Sequence, residues 1–198
     1  FHIADDCLTA HRQHLSELCN EIAKISPKVI WQSQTRADLV SADNMKMMAD
    51  AGCWYIAIGA ESGNPETLRR TNKHVTLQQN IDAPIYACEA GMKVQTNLMF
   101  GFPWETVQSL ENNLDYINRV WDATYFFSIS GSVTPYAETD IYKEYCDIYG
   151  FRDYWLKERY QPRGAQLYQN TTNPYATSTF YQRNIFDDIY IQEDYFFK

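Results

Sequence analysis

The chain is 198 residues long, with 45% hydrophobic residues and a net charge of −8. That length sets one domain with room for a small appendage, and the apolar share suffices for a real core. The negative balance argues against a nucleic-acid surface held by bulk charge, no apolar run nears the ~20 residues of a membrane span, and no signal-peptide pattern opens the chain.

Phe1 to Ala4 reads as the end of a short apolar strand, with Asp5 and Asp6 at its carboxyl edge. Thr9 to Lys24 is predicted helical, since Leu15, Leu18, Cys19 and Ile22 fall on one face, and Ser26-Pro27 stops it. Lys28 to Thr35 is the next strand, followed by Arg36 and Asp38. Ser41 or Asp43 then caps a helix running to Ala51, with Met45, Met48 and Ala49 inward and Gly52 as its stop.

Trp54 to Gly63, WYIAIGAESG, is the stretch around which the rest is arranged. Tyr55 to Ile58 forms a near-continuous apolar run, as in a strand covered on both faces. Glu61 and Ser62 follow, between Gly59 and Gly63. A carboxylate and a hydroxyl at the carboxyl end of a strand suit ligand binding. The simpler reading is a polar turn in which Ser62 or Asn64 caps the helix from Pro65 to about Thr71.

Lys73-His74-Val75 reads as a connector. Thr76 caps a helix to Ala90, with Ile81, Ile85 and Cys88 inward and Pro84 in its middle, where it removes a backbone hydrogen bond or kinks the helix at ~3 kcal/mol. Met92 to Phe100 is a strand that runs into Gly101-Phe102-Pro103-Trp104-Glu105. A helix from Glu105 to Val120 places Leu110, Leu114 and Ile117 inward. Thr124 to Val133 is the last strand, followed by Pro135-Tyr136 and a helix from Asp140 to Tyr149 closed by Gly150.

Regular alternation of strand and helix argues for a parallel sheet with outer helices. Polar clusters recur at each strand's carboxyl end: Asp5-Asp6, Arg36-Asp38, Glu61-Ser62, Glu105 and Tyr136. Together they predict one ligand-binding face. Two regions follow: a barrel-like region over 1–150 and an irregular extension over 151–198, with a short helix near Tyr154 to Tyr160 and an acidic, aromatic tail. The five cysteines, Cys7, Cys19, Cys53, Cys88 and Cys146, are odd in number and widely spaced. Reduced thiols in a cytoplasmic protein are expected, with Cys19, Cys53 and Cys88 in the core.

Read in order, HIADDCLT, WQSQTRADLV, MKMMADAGCWYIAIGAESGNPETL, the Lys73 connector, AGMKVQTNLMFGFPWET and VTPYAETDIY resemble the radical S-adenosylmethionine superfamily. Within it, they resemble the class of cobalamin-binding radical enzymes and anaerobic magnesium-protoporphyrin ester cyclases. The resemblance spans about residues 1 to 150. It implies a partial (β/α)6 barrel of the α/β class, with the first βα unit missing and Phe1 to Ala4 as an exposed edge.

The resemblance also implies site residues. Asp5 and Asp6 stand where that family binds the amino group of S-adenosylmethionine, and an acceptor-only carboxylate suits an ammonium. Arg36 lies on the cofactor or substrate face. Glu61 and Ser62 match the motif near the ribose and methionine ends. Gly101, Phe102, Pro103 and Glu105 match the motif beside the adenine; for these the simpler reading is a turn plus a Glu in the first helical turn. Pro135 and Tyr136 close the pocket.

Two departures stand out. The family's Pro-Gly-Thr after Pro-Tyr is here Ala137-Glu138-Thr139, which predicts a different loop shape. The family's Cys-x3-Cys-x2-Cys loop, ligand to a [4Fe–4S] cluster, is absent from this sequence. The expectation is therefore the C-terminal part of an enzyme that cleaves S-adenosylmethionine reductively to begin methyl transfer, cyclisation or related radical chemistry on a small molecule. It would draw on an external electron donor and in some relatives on cobalamin, and this part alone would be inactive. The alternative is a non-catalytic βα-repeat domain that binds a nucleotide-like ligand or a partner protein.

Overall fold

A computed structural model describes residues 1–5, 7–26, 28–133, 135–148 and 152–153. It contains two compact units. The first holds Phe1–Phe100 and Trp104–Gly131; the second holds Gly101–Pro103 and the described residues from Ser132 onward.

The first unit is built on a sheet ordered β1 (Trp31–Arg36), β2 (Cys53–Glu61), β3 (Lys93–Phe100) and β4 (Phe126–Ser132, of which this unit holds Phe126–Gly131). The β1/β2 and β2/β3 pairs are parallel. Between the strands run α1 (Arg12–Ala23), α2 (Ala42–Asp50), α3 (Pro65–Arg70), α4 (Leu77–Glu89) and α5 (Val107–Val120). This is the expected α/β class, with parallel strands and helical crossovers. Ahead of β1, His2 bridges Gln32 in parallel, and Gln32 N donates to Phe1 O at 2.9 Å. The segment expected as a strand is thus present as a short pairing. In the second unit, α6 (Asp140–Tyr145) is capped by Thr139, whose hydroxyl accepts from Tyr142 N.

Helix starts follow the sequence signals. Ser41 accepts from Asn44 N, Asn64 from Thr67 N, and Thr76 forms a capping box with Gln79. Asn64, not Ser62, is the α3 cap. At the end of α2, Gly52 has φ 96, and a Cβ there would lie 2.2 Å from Val29 O, so only glycine fits.

The core lies on one side of the sheet. Trp31, Ile56, Ile58 and Val94 point into it and meet Leu15 and Cys19 of α1, Met45 and Met48 of α2, and Ala83 and Ala87 of α4. A second cluster joins Ala60 and Leu98 to Ile81, Tyr116 and Val120. The expectation that β2 is covered on both faces is corrected. Its burial alternates, with Ile56, Ile58 and Ala60 fully buried and Tyr55, Ala57, Gly59 and Glu61 half-buried on the opposite face. The apolar run hid this because Tyr55 and Ala57 are apolar residues on a partly open face.

Three other expectations are corrected. Cys88 is exposed, because α4 turns Ala83, Pro84 and Ala87 to the sheet instead. Leu114 is 60% exposed; α5 buries Ser109, Asn113, Tyr116 and Val120. Its apolar residues thus mislead about its inner face, which is fixed by the hydrogen bonds that Asn113 accepts and Tyr116 donates. Finally, α5 begins at Val107, since Thr106 accepts from Ser109 N, so Glu105 precedes the cap and is not in the first turn. Gly150, the helix expected near 154–160 and the acidic tail lie outside the described residues.

Pro84 finds its explanation here. The backbone N–H it lacks would have bonded the carbonyl of Asn80. That carbonyl instead accepts from the hydroxyl of Tyr116 at 3.2 Å.

The buried thiols give a first test. Burial pushes Cys19 up to about 11 and Cys53 up to about 12, from an ordinary 9.0. Both therefore stay protonated in the native state while the unfolded chain ionises near 9.0. Stability is expected to hold below that pH and to fall as pH rises from about 9 toward 12. Alkylation at pH 8 should label exposed Cys88 and spare Cys19 and Cys53; mass spectrometry of the tryptic peptides reads this directly.

Candidate functional site

The half-buried face of the sheet carries polar side chains in register. Across β1, β2 and β3 the rows read Gln32, Tyr55, Lys93; then Gln34, Ala57, Gln95; then Arg36, Gly59, Asn97. Tyr55 donates to Gln95, and Gln95 donates to Asn97. Burial, with a smaller effect from Tyr125, raises the Tyr55 phenol, so it stays a neutral donor. The middle strand supplies the two smallest side chains. Ala57 and Gly59 therefore form the floor of a trough between longer neighbours.

Charge gathers at the carboxyl end of this trough. Arg36 forms a two-pronged pair with Asp38, both contacts at 2.9 Å, and its Nη2 donates to the backbone carbonyl of Lys73 at 2.8 Å. The hydrogen bond with Asp38 raises the guanidinium above its ordinary value and keeps it charged. The Lys73 ammonium donates to Glu61 Oε1 and to Gly59 O, the latter at 3.3 Å. Lys73 and Glu61 side chains are 24% and 19% exposed, so the pair is partly shielded from water.

Glu61 has an unusual backbone. Its φ is 62, in the left-handed region that non-glycine residues rarely enter. The β2/β3 register slips between Gly59 and Glu61, and Ser62 N donates back to Ala60 O at 2.7 Å. Glu61 thus sits at the centre of a γ-turn that folds its side chain back over the trough. A Cβ placed on Gly59 would meet Glu61 Oε1 at 2.8 Å and Lys73 Nζ at 3.3 Å. The bare glycine is what lets the ion pair lie against the sheet.

Of the residues singled out in the sequence, Arg36 and Glu61 are brought together, joined through Lys73. Asp5 stands at the neighbouring edge: its backbone carbonyl accepts from Gln34 at 3.4 Å, and its carboxylate accepts from Cys7 N at 2.8 Å. Asp6 lies outside the described residues. Ser62 goes the other way. It is 1% exposed, and its hydroxyl donates to Asn113 Oδ1 at 2.9 Å behind the sheet. Glu105 is half-buried in the first unit, beside Trp104, whose indole N–H donates to Thr67 at 3.3 Å.

Gly101, Phe102, Pro103, Pro135 and Tyr136 belong to the second unit. There Gly101 has φ 82, Phe102 is 2% exposed and Tyr136 is 66% exposed. Pro135 is buried and Pro103 half-buried. Glu138 holds φ 68, a conformation glycine enters without cost. The loop therefore tolerates that geometry without glycine.

Lys73, the cation that joins Glu61 to the Arg36 side of this cluster, is a residue that sequence reasoning passed over as a connector. A lysine between two polar residues carries no periodic signal, and only the chain path brings it to Glu61. Asn80 and Asn113, which hold the turn from behind, were also missed, since both lie inside helices whose apolar residues draw the eye. Among the described residues, no group of three His, Cys, Asp or Glu side chains could hold a metal ion, and no helix is long and apolar enough to cross a membrane.

The family model described as the Radical SAM superfamily matches residues 9–117. Among curated proteins, the chain is 27% identical over 140 residues to an uncharacterised methyltransferase of Pyrococcus horikoshii, covering 70% of this chain and 30% of that protein. It is 26% identical over 159 residues to the anaerobic magnesium-protoporphyrin IX monomethyl ester cyclase of Rubrivivax gelatinosus, covering 78% and 28%. The chain thus spans under a third of the length of these relatives. Its fold matches the radical S-adenosylmethionine methyltransferase TsrM of Kitasatospora setae, solved with cobalamin and a [4Fe–4S] cluster, at TM-score 0.61 and 20% identity over 74% of this chain and 28% of that one. It also matches the cobalamin-dependent radical enzyme OxsB at TM-score 0.57 and 24% identity, over 74% and 22%.

Proposed function

Because this chain belongs to the radical S-adenosylmethionine superfamily, we propose that its carboxyl-edge trough binds the amino-acid end of S-adenosylmethionine in a protein that cleaves this cofactor to start radical chemistry. The observation that carries the reading is the Glu61–Lys73 pair laid over Gly59. The methionine end of the cofactor is a zwitterion, with an ammonium and a carboxylate a few ångströms apart. Glu61 offers an acceptor for the ammonium, and Lys73 offers a donor for the carboxylate. Binding exchanges one internal ion pair for two pairs with the ligand. Asp38 holds the Arg36 head group in place, and Arg36 in turn fixes the Lys73 backbone. The resemblance alone assigns Asp5 and Asp6 to the same ammonium, Gly101–Pro103 with Glu105 to the adenine, and Pro135–Tyr136 to the closing of the pocket.

The residues present do not fit a cluster. The cysteines are far apart in sequence, Cys19, Cys53 and Cys146 are buried, and no ligating triad occurs among the described residues. The cluster ligands would therefore come from the rest of the full-length protein, outside this chain. When bound, a reduced cluster supplies the electron that cleaves the cofactor. This chain's part is to bind and orient it. Methyl transfer or cyclisation on a small-molecule substrate is the finer proposal, supported by the relatives' activities; a cytoplasmic protein served by an external electron donor completes it.

The test uses the full-length protein, purified without oxygen and supplied with iron and sulfide. Dithionite and S-adenosylmethionine should yield 5′-deoxyadenosine. Gly59→Ala should weaken cofactor binding by ~10-fold or more, since it displaces a charge-assisted contact worth ~1.5–3 kcal/mol. Its unfolding temperature should barely move, because the added methyl meets only the flexible ends of two side chains. Wild-type affinity in Gly59→Ala would remove the support for Glu61 as a ligand. A protein that takes up no cluster and releases no 5′-deoxyadenosine would make the non-catalytic binding domain the better account.

A further inference from the structure

Glu61 is aimed from behind the sheet. The carbonyl before it, Ala60 O, and the carbonyl after it, Ser62 O, both accept from the side-chain amide of Asn80, at 2.8 and 3.0 Å. One NH2 group therefore straddles the strained residue, tied to the peptide unit just before Glu61 and to the one just after Ser62. Asn80 is fully buried on α4, and its amide oxygen has no hydrogen-bond partner. An asparagine kept in the core with half its capacity unused is there for its donors. Its own main chain is pinned in turn, since Tyr116 donates to Asn80 O. Past the turn, Asn113 Oδ1 accepts from Ser62 Oγ at 2.9 Å and from Gly63 N at 2.7 Å. A Cβ on Gly63 would lie 2.3 Å from Tyr116 Cβ, so α5 presses directly on the turn.

We propose that Asn80 is a positioning residue for cofactor binding. By bridging Ala60 O and Ser62 O it holds Glu61 at positive φ, with its carboxylate over Gly59 where the ligand's ammonium docks. Without the bridge, the turn relaxes to an ordinary extended backbone, and the Glu61 side chain swings off the trough. The proposal rests on the reading of Glu61 as a cofactor ligand, and its test separates the two.

The test is a double-substitution cycle on the full-length protein, with the S-adenosylmethionine dissociation constant measured by equilibrium dialysis. Asn80→Ala in the parent background should weaken binding about tenfold or more. In a Glu61→Ala background the same change should have little further effect, because Asn80 acts only through Glu61. A purely structural asparagine would weaken binding by the same factor in both backgrounds, and that result overturns the proposal. So does parental affinity in a folded Asn80→Ala protein. Should the alanine variant lose helix content, Asn80→Ser, which keeps one donor, carries the cycle in its place and should fall between parent and alanine. If Glu61→Ala by itself binds S-adenosylmethionine as tightly as the parent, the cofactor reading has failed, and this proposal falls with it.

Discussion

Glu61→Gly is expected to fold about as stably as the parent and to lose most of its cofactor affinity, whereas Glu61→Val should lose both. A non-glycine residue at φ 62 stores ~1–3 kcal/mol of backbone strain, which glycine releases. Against that, glycine costs ~0.5–1 kcal/mol more in chain entropy, and the partly shielded pair with Lys73 is lost. These effects oppose one another and leave a net change within ~1 kcal/mol, or a few degrees of unfolding temperature. Valine gains nothing from the turn. Its branched Cβ is least tolerated at positive φ, so a loss of ~2–3 kcal/mol is expected. Both variants lack the carboxylate, and removal of one charge-assisted hydrogen bond corresponds to ~10–100-fold in affinity. Thermal unfolding followed by tryptophan fluorescence, beside equilibrium dialysis with labelled S-adenosylmethionine, separates the two quantities. A glycine variant as unstable as the valine variant would show that the positive φ is not what stores the strain.

The second large effect concerns the proline inside α4. Tyr116→Phe should destabilise the protein by ~1–3 kcal/mol, because it strands the buried carbonyl of Asn80. The ring itself is retained, so little apolar contact is lost. Pro84→Ala restores an N–H to the helix at the one place where it can reach that carbonyl. In the parent this change should be nearly neutral, since the carbonyl already has a partner and the chain loses the stiffness of proline. In the Tyr116→Phe background it should recover much of the loss. Urea denaturation of the four proteins gives the coupling directly. Strict additivity would show that the hydroxyl and the missing N–H are unrelated. Tyr116 also bears on the alkaline side: burial raises its phenol well above the ordinary value, so its ionisation at high pH is coupled to unfolding.

What the sequence made legible was set by local rules. Caps and stops such as Ser41, Thr76 and Gly52 mark where helices begin and end. Strand–helix alternation dictates parallel pairing, and Glu61 between its glycines marks the carboxyl edge. What it hid depends on partners far away in the chain. Ser62 sits beside Glu61 but turns to Asn113, fifty-one positions on; no local pattern tells which of two adjacent polar residues faces inward. Leu114 and Cys88 have the chemistry of core residues and are left outside, because α5 turns Asn113, Tyr116 and Val120 inward and α4 turns Asn80, Ala83 and Ala87 inward. Lys73 and Asn80 mattered only once the fold had brought them to the two sides of one turn.

Along β2 and β3, successive residues alternate between the sealed side and the polar trough: Ile56, Ile58, Val94 and Leu98 against Tyr55, Ala57, Gln95 and Asn97. The residues that hold the sheet together and those a ligand would meet are therefore disjoint sets threaded on the same strands. Such a scaffold is free to diversify. Substitutions at Tyr55, Ala57, Gln95 or Asn97 can recarve the trough while Ile56, Ile58, Val94 and Leu98 go on holding the fold.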